Sequence, residues 1–274
     1  MTEIIKPFPP SPGDGQRGFT LIELSVVLII IGFIAGGIVA GQALIRGSQV
    51  QSVVVDAQTY IRATQMFQQK YNSLPGDMYN ATSYWGTASG GCPNGPRTGT
   101  QTCNGNGDGI IVNLPGDAGS GNWNDMIEAF LVWQHLADAG FVQGSYTGIP
   151  GSGGIWDMEP GSSPASRVPG GWFAVYYLGV PSDSNNFPLS FGHVLVFGAV
   201  HPGSVPANGI INPNEALSID NKQDDGLPAS GMIVSQTKDS TYAGNCTTSD
   251  SAATAQYAVT VTGNNCSLYF KTGF

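Results

Sequence analysis

Four groups of side chains in this 274-residue chain have types and spacings that could do chemistry. Glu23 is a carboxylate set in an apolar run and followed by 22 uncharged positions, Leu24 to Ile45. An ionised carboxylate in hydrocarbon costs about 2.5–3.5 kcal/mol on insertion scales unless something pairs with it. Glu23 therefore either lies at a membrane interface or has a partner. A second group is Asp220-Asn221-Lys222-Gln223-Asp224-Asp225-Gly226, with three carboxylates close together and Lys222 offsetting part of their charge. Such carboxylates repel unless they are solvated or share a cation, and an all-oxygen ligand set suits calcium. The third, Asn104-Gly105-Asn106-Gly107-Asp108-Gly109, matches the first half of the calcium loop D-x-[DN]-x-[DN]-G. Its twelfth position is Pro115 where the bidentate Glu belongs, so a plain Gly/Asn turn competes with a weak calcium site. The fourth group is Cys92, Cys103, Cys246 and Cys266. They form no C-x-x-C and have no His nearby in sequence, which argues against zinc. Four cysteines admit three pairings. We favour the local one, Cys92–Cys103 with Cys246–Cys266, and disulfides would put this part of the chain in an oxidising compartment.

Catalytic patterns are missing. The three histidines are His135 on an expected helix, His193 in an expected strand and His201 before Pro202. His193 lies on the apolar side of its strand and reads as a satisfied core histidine. No G-x-S-x-G, H-E-x-x-H, phosphate loop or dinucleotide fingerprint occurs, so we expect no enzyme and no cofactor other than calcium. With 10 Lys+Arg against 19 Asp+Glu the formal charge is −9, which leaves no basic surplus to displace counterions from nucleic acid. A hydrophobic share of 41% against 11% charged excludes a disordered polar chain. The 39 glycines and 18 prolines suggest a loop-rich, largely β body, a composition common outside the cell.

The elements that would position these groups begin with a long helix. As a helix, Leu24–Ile45 would span about 33 Å, against a hydrocarbon core of about 30 Å. A removable secretory signal has an apolar region of roughly 7–15 residues followed by a small-x-small site; this run is longer and lacks that site. The segment is expected to stay on the mature protein. Lys6 and Arg17 before it and Arg46 and Arg62 after it leave its orientation open. Past Arg46, Val50, Val53, Val54, Ala57, Tyr60, Ile61, Thr64, Phe67 and Tyr71 repeat as one amphipathic stripe, with Gln51, Asp56, Gln58, Arg62, Gln65 and Gln69 opposite. No proline interrupts residues 19–74, so one helix of about 55 residues, roughly 80 Å, is expected.

Residues 17–24 read Arg-Gly-Phe-Thr-Leu-Ile-Glu-Leu. This octet, with the apolar run behind it, resembles the prepilin processing site of type IV pilins and type II secretion pseudopilins. The resemblance implies cleavage by a membrane prepilin peptidase after Gly18 and methylation of the new amine at Phe19. Residues 1–18 would then be a removed leader, 19–45 the membrane and filament-core half of the helix, and 46–274 an extracytoplasmic domain that includes the amphipathic half, 46–73. The family's assembly carboxylate falls on Glu23, which would pair with the Phe19 amine of a neighbouring subunit. A broken buried pair costs roughly 3–5 kcal/mol, so such pairing would set the axial register of a filament. Many members carry a proline where this chain has Ala40. Gly32, Gly36, Gly37 and Gly41 cluster here instead; we favour close helix packing over local unwinding as their role.

The remainder reads as loops, short strands and one or two helices. Leu74-Pro75-Gly76-Asp77 ends the long helix in a type II turn, and the same four residues recur at 114–117. The stretch 74–86 also resembles a subset of pilin-like proteins. Residues 125–139 look helical, with Asp125 and Glu128 as a capping box, Met126, Ile127, Phe130, Leu131, Trp133 and Leu136 apolar, and Gly140 as the stop. A short helix opens at Asn212-Pro213 with Glu215. Strands are expected at 172–180, at 189–200 with Leu189, Phe191, His193, Leu195 and Phe197 on one side, at 256–262 with Tyr257, Val259 and Val261 alternating, and at 266–271. The expected class is α+β: the long helix packed on an antiparallel sheet with long Gly-rich loops, the pilin architecture the resemblance implies. A C-terminal disulfide loop and a late calcium loop are also similar to features of some pilins and pseudopilins.

The resemblance implies as partners identical or related pilin subunits in a helical filament, the prepilin peptidase, an inner-membrane assembly platform and membrane lipid. The chain would sit in the inner membrane before assembly and in an extracellular or periplasmic filament afterwards. A structural pilin is the leading reading. A minor pilin, a pseudopilin in protein secretion, and an adhesin or ligand-binding module on a pilin stem are the alternatives. Cleavage after Gly18 would leave 256 residues, large for a major subunit.

Overall fold

A computed structural model describes residues 19–92, 99–111, 128–151, 158, 161–181, 183–202 and 205–274. Residues 1–18, the expected leader with Gly18, the second Leu-Pro-Gly-Asp at 114–117 with Pro115, and Asp125, Met126 and Ile127 lie outside these residues. The chain divides into two compact units, up to Ile45 and Arg46–Phe274.

In the first unit, helix α1 (Leu21–Tyr71) begins at Leu21 and remains helical across Gly32, Gly36, Gly37 and Gly41. Almost every side chain there is exposed, and Phe19, Leu21 and Leu44 are 90%, 88% and 76% accessible. A Cβ added at any of the four glycines would meet nothing within 4 Å, so the isolated chain has no packing need for them.

In the second unit the stripe read from sequence turns inward. Val50, Val53, Val54, Ala57, Thr64 and Phe67 are buried, while Gln51, Gln58, Arg62, Gln65 and Gln69 are exposed. Tyr60 packs edge-on against Trp133 at 5.0 Å and Phe173 at 5.3 Å, joining α1 to α3 (Glu128–Asp138) and strand β1 (Gly171–Tyr177). α1 stops at Asn72, whose φ of +51° is the left-handed turn that asparagine tolerates. Gly76 follows at φ +89°, as the second central position of a type II turn requires, and a Cβ there would strike the Glu128 carbonyl. A short helix α2 (Thr82–Trp85) follows. α3 ends in a Schellman motif: Gly140 at φ +78° donates to Ala137 O and Phe141 donates to Leu136 O, each at 2.9 Å.

Among the described residues the sheet has four antiparallel strands in the order β1, β2 (His193–Ala199), β4 (Leu268–Lys271), β3 (Ile233–Ser235). With the long helix it makes the α+β class expected from sequence. Three details differ from that expectation. β2 is central, and Val194, Leu195, Val196 and Phe197 are all buried, so the two-sided alternation read for 189–200 does not hold. Residues 256–262 form no strand; Tyr257 makes one bridge to Thr247, and Val259 is exposed. Among the described residues this segment pairs with no strand, and its backbone closes on itself through Val261 N–H to Ala258 O. β3 is a three-residue strand with no sequence prediction, too short to show a period.

Helix α4 (Pro213–Gln223) opens as the sequence indicated. Asn212 Oδ1 accepts from Glu215 N–H at 2.9 Å, Glu215 Oε2 accepts from Asn212 N–H at 3.0 Å, and Pro213 occupies the first turn, where its missing N–H costs nothing.

Candidate functional site

The start of α1 is closed by Thr20 and Glu23. Thr20 is the N-cap and Glu23 the third helical residue. Thr20 N–H and Thr20 Oγ1–H both donate to Glu23 Oε2 at 2.8 Å, and Glu23 N–H donates back to Thr20 Oγ1 at 3.2 Å. This is a reciprocal capping box, and it also places a carboxylate against the positive end of the helix dipole. The T-x-x-E spacing is legible in the sequence, but reading Glu23 as a membrane charge and an assembly carboxylate passes over Thr20. Both donors reach one oxygen, and Glu23 stands beside exposed Phe19 and Ile22 in a shallow apolar surface.

Residues 14–39 match the family model described as the prokaryotic N-terminal methylation motif, the signature of type IV pilins and pseudopilins. The chain carries that methylation motif. No curated relative and no solved structure matches the chain. The methylation motif covers Gly18, Phe19, Thr20 and Glu23 and most of the apolar run, while the body of the chain rests on its own geometry. An apolar helix under such a motif fits membrane insertion, and α1 is long and apolar enough to cross a bilayer.

Just past the motif, Arg46 is the first charge after the apolar run. Its Nε donates to Glu215 Oε1 at 2.7 Å and its Nη2 to Glu215 Oε2 at 2.8 Å, a bidentate pair, and Nη2 also reaches Ile210 O at 3.2 Å. Burial works against the Glu215 charge, but Arg46 and the Asn212 N–H outweigh it and hold the carboxyl below its ordinary range. Glu215 therefore closes a helix cap and clamps α1 with one side chain.

The acidic turn is brought together. Asp220, Asp224 and Asp225 each present an oxygen within 4.8 Å of the others. Their oxygens also serve the chain. Asp220 accepts from Gly226 N–H at 3.0 Å and from Tyr257 Oη–H at 2.7 Å. Asp224 Oδ2 accepts from Met232 N–H and from Ile233 N–H, capping donors at the start of edge strand β3. Asp225 accepts from Leu227 N–H at 2.9 Å and Ser230 Oγ–H at 2.5 Å. Burial pushes Asp220 up to about 6, with repulsion from Asp225 and Asp224 adding to it and the two donors opposing it.

In the Asn104–Gly109 loop the side-chain oxygens accept from backbone N–H groups. Asn104 Oδ1 takes Thr82 N–H at 2.8 Å, Asn106 Oδ1 takes Asp108 N–H at 2.9 Å, and Asp108 Oδ1 takes Ile110 N–H at 2.8 Å. The loop amides instead surround an anion that sequence reasoning treated only as a turn residue. The Asp77 carboxylate accepts from Gly107 and Asp108 N–H at 2.7 and 3.1 Å on one oxygen and from Gly109 N–H at 2.9 Å on the other. Burial raises Asp77 to about 6 despite these donors. Glu128 is fully buried and accepts from Asn106 N–H at 2.9 Å. His135 Nδ1 accepts from Gly76 N–H at 2.9 Å, and its Nε2 lies 3.0 Å from Thr102 Oγ1 and 3.2 Å from Cys103 O. Cys92–Cys103 and Cys246–Cys266 are the disulfides, the local pairing. His193 is a core residue, its Nε2 accepting from Ile111 N–H at 3.1 Å, with burial lowering its pKa.

Proposed function

We propose that the chain is a structural subunit of a type IV pilus-like filament, inserted in the inner membrane as a prepilin, cut after Gly18 and assembled by helix packing with a Glu23–Phe19 amine pair between neighbours. The observation that carries this reading is the exposed apolar half of α1 under a methylation motif. The exposed Val, Leu, Ile and Phe side chains between Phe19 and Ile45 need a cover other than water, since fully burying each is worth about 1.5–3 kcal/mol. Lipid covers them first, and neighbouring copies cover them after extraction. The four glycines with open space above them support close approach by another helix. The capping box draws both Thr20 donors to Glu23 Oε2 and leaves Oε1 for an incoming ammonium. The test is mass spectrometry of filaments sheared from cells. An abundant peptide series beginning at methylated Phe19 supports the reading. Chains that retain residues 1–18 and occur only as membrane monomers refute it.

We also propose that the acidic turn takes one calcium ion, with Asp220, Asp224 and Asp225 supplying hard oxygen ligands. The mutual approach of their oxygens favours it. Calcium at about a hundred times its dissociation constant should add ~2.7 kcal/mol of stability. Thermal melting in calcium and in chelator measures it; identical curves remove the proposal.

A further inference from the structure

We propose that the groove between α1, α4 and the C-terminal disulfide loop holds the phosphate headgroup of a membrane phospholipid. This rests on the membrane-inserted stage proposed above. The groove has a volume of about 590 Å³ and lies wholly within the Arg46–Phe274 unit. Gly47, Val50 and Gln51 form one wall and α4 forms another, while Val259, Val261 and Thr262 close it. The walls are braced: Asn214 Nδ2 donates to Val259 O at 3.0 Å, and Cys266, bonded to Cys246, exchanges backbone hydrogen bonds with Ile210 and Ile211.

Position and chemistry together select the occupant. Gly47 and Gln51 follow Ile45, the last residue of the apolar run, by two and six positions, a rise of roughly 3–9 Å along a helix. The headgroup layer outside the hydrocarbon is about 5–8 Å thick on each side, so Gly47 falls within it and Gln51 at its outer edge. Lys222 is the cation among the lining residues. Its Nζ donates to Gln51 Oε1 at 3.0 Å, which leaves two N–H donors for a phosphate. Ser218 and Thr262 add hydroxyls. The anion beside them, Glu215, is already matched by Arg46, and Asp220 is turned into Tyr257 and Gly226. Exposed Val259 and half-buried Val261 offer apolar surface for the glycerol and first methylenes. A cation with hydroxyls on one side and valines on the other matches the amphipathic headgroup boundary.

The test uses the purified full-length chain in non-ionic detergent, titrated with dioleoylphosphatidylglycerol or with dioleoylglycerol, which has the same tails without phosphate. Bound lipid is counted by native mass spectrometry. Phosphatidylglycerol should be retained about fivefold more than dioleoylglycerol, the contribution of one lysine near an anionic surface. Lys222→Gln should remove that excess with the melting temperature unchanged. Lys222→Arg and Lys238→Gln should keep it. Equal retention of the two lipids by the unmodified chain overturns the proposal, as does an excess that survives Lys222→Gln. Competition by glycerol 3-phosphate at equal concentration also overturns it, because the ligand would then be a free phosphate. Flotation with vesicles separates the two readings. A chain that does not float refutes membrane insertion; one that floats without headgroup preference refutes only the groove.

Discussion

Glu23 has two roles available, and three substitutions separate them. In the single chain it closes a capping box with Thr20 through bonds of 2.8, 2.8 and 3.2 Å. In a filament it would neutralise the amine of a neighbour. Thr20→Ala removes the cap and leaves the charge. An N-cap is worth about 1 kcal/mol, so assembly should weaken only about fivefold. Glu23→Gln leaves the cap, because Gln serves at the same capping-box position, and removes the charge. If the pair with the amine is real, that variant strands a buried ammonium at roughly 3–5 kcal/mol, which raises the concentration needed for assembly about 150- to 4,000-fold. Glu23→Ala loses both and should fall about fivefold below Glu23→Gln. The assay is the ratio of chain in sheared filaments to chain in membranes, with N-terminal sequencing to show that cleavage is intact. Glu23→Gln filaments at the unmodified level, alongside a severe Thr20→Ala defect, would refute the pairing and leave capping as the function of this carboxylate.

Other consequences follow from charge and packing. Burial raises Asp77 to about 6, Asp138 to about 7 and Asp220 to about 6. A raised folded pKa gives stability that is complete below the ordinary value of 3.8 and lost as pH climbs through 6–7. Between pH 5 and 8 the three together come to about 5 kcal/mol, or roughly 2–3 after solvent screening, and His193, whose lowered pKa acts in the opposite sense, offsets part of it. The melting temperature should therefore fall by about 5–10 °C over that interval; calorimetry that finds a rise contradicts the burial argument. Glu215→Gln keeps the α4 cap and breaks the bidentate pair with Arg46, at a cost of about 1–2 kcal/mol, and Glu215→Ala should cost about 1 kcal/mol more. Equal denaturation midpoints for the two variants would show that the capping role carries no stability. Gly36→Ala should insert normally, since its Cβ meets nothing in the isolated chain, yet lower filament yield. Unchanged yield would remove helix packing as the reason for that glycine.

The candidate residues were legible in sequence to very different degrees. Thr20 was within reach, since a threonine three residues before a glutamate is a capping signal, and the helix does begin between them. Asp77 was not. Its donors lie about thirty residues further along the chain, and no local pattern announces that a glycine-rich loop will turn its amides toward it. Asp224 carried a visible charge, but its hydrogen bonds go to Met232 and Ile233, the entry to a strand too short to show a period. Arg46 could be counted as a charge and nothing more until Glu215, 169 positions away, was placed beside it.

The sequence by itself determined what depends on neighbours along the chain. The N-terminal methylation motif, the apolar run, the amphipathic stripe of α1, the Asn212 cap and the positive-φ glycine stops each follow from spacing within a few residues, because helix period, capping and turn sterics act over that range. Only the tertiary structure decided which strand is central, which carboxylates meet, and where the Asn/Gly loop folds. Those outcomes turn on desolvation and on donors supplied from distant segments, and chain order does not encode either at short range.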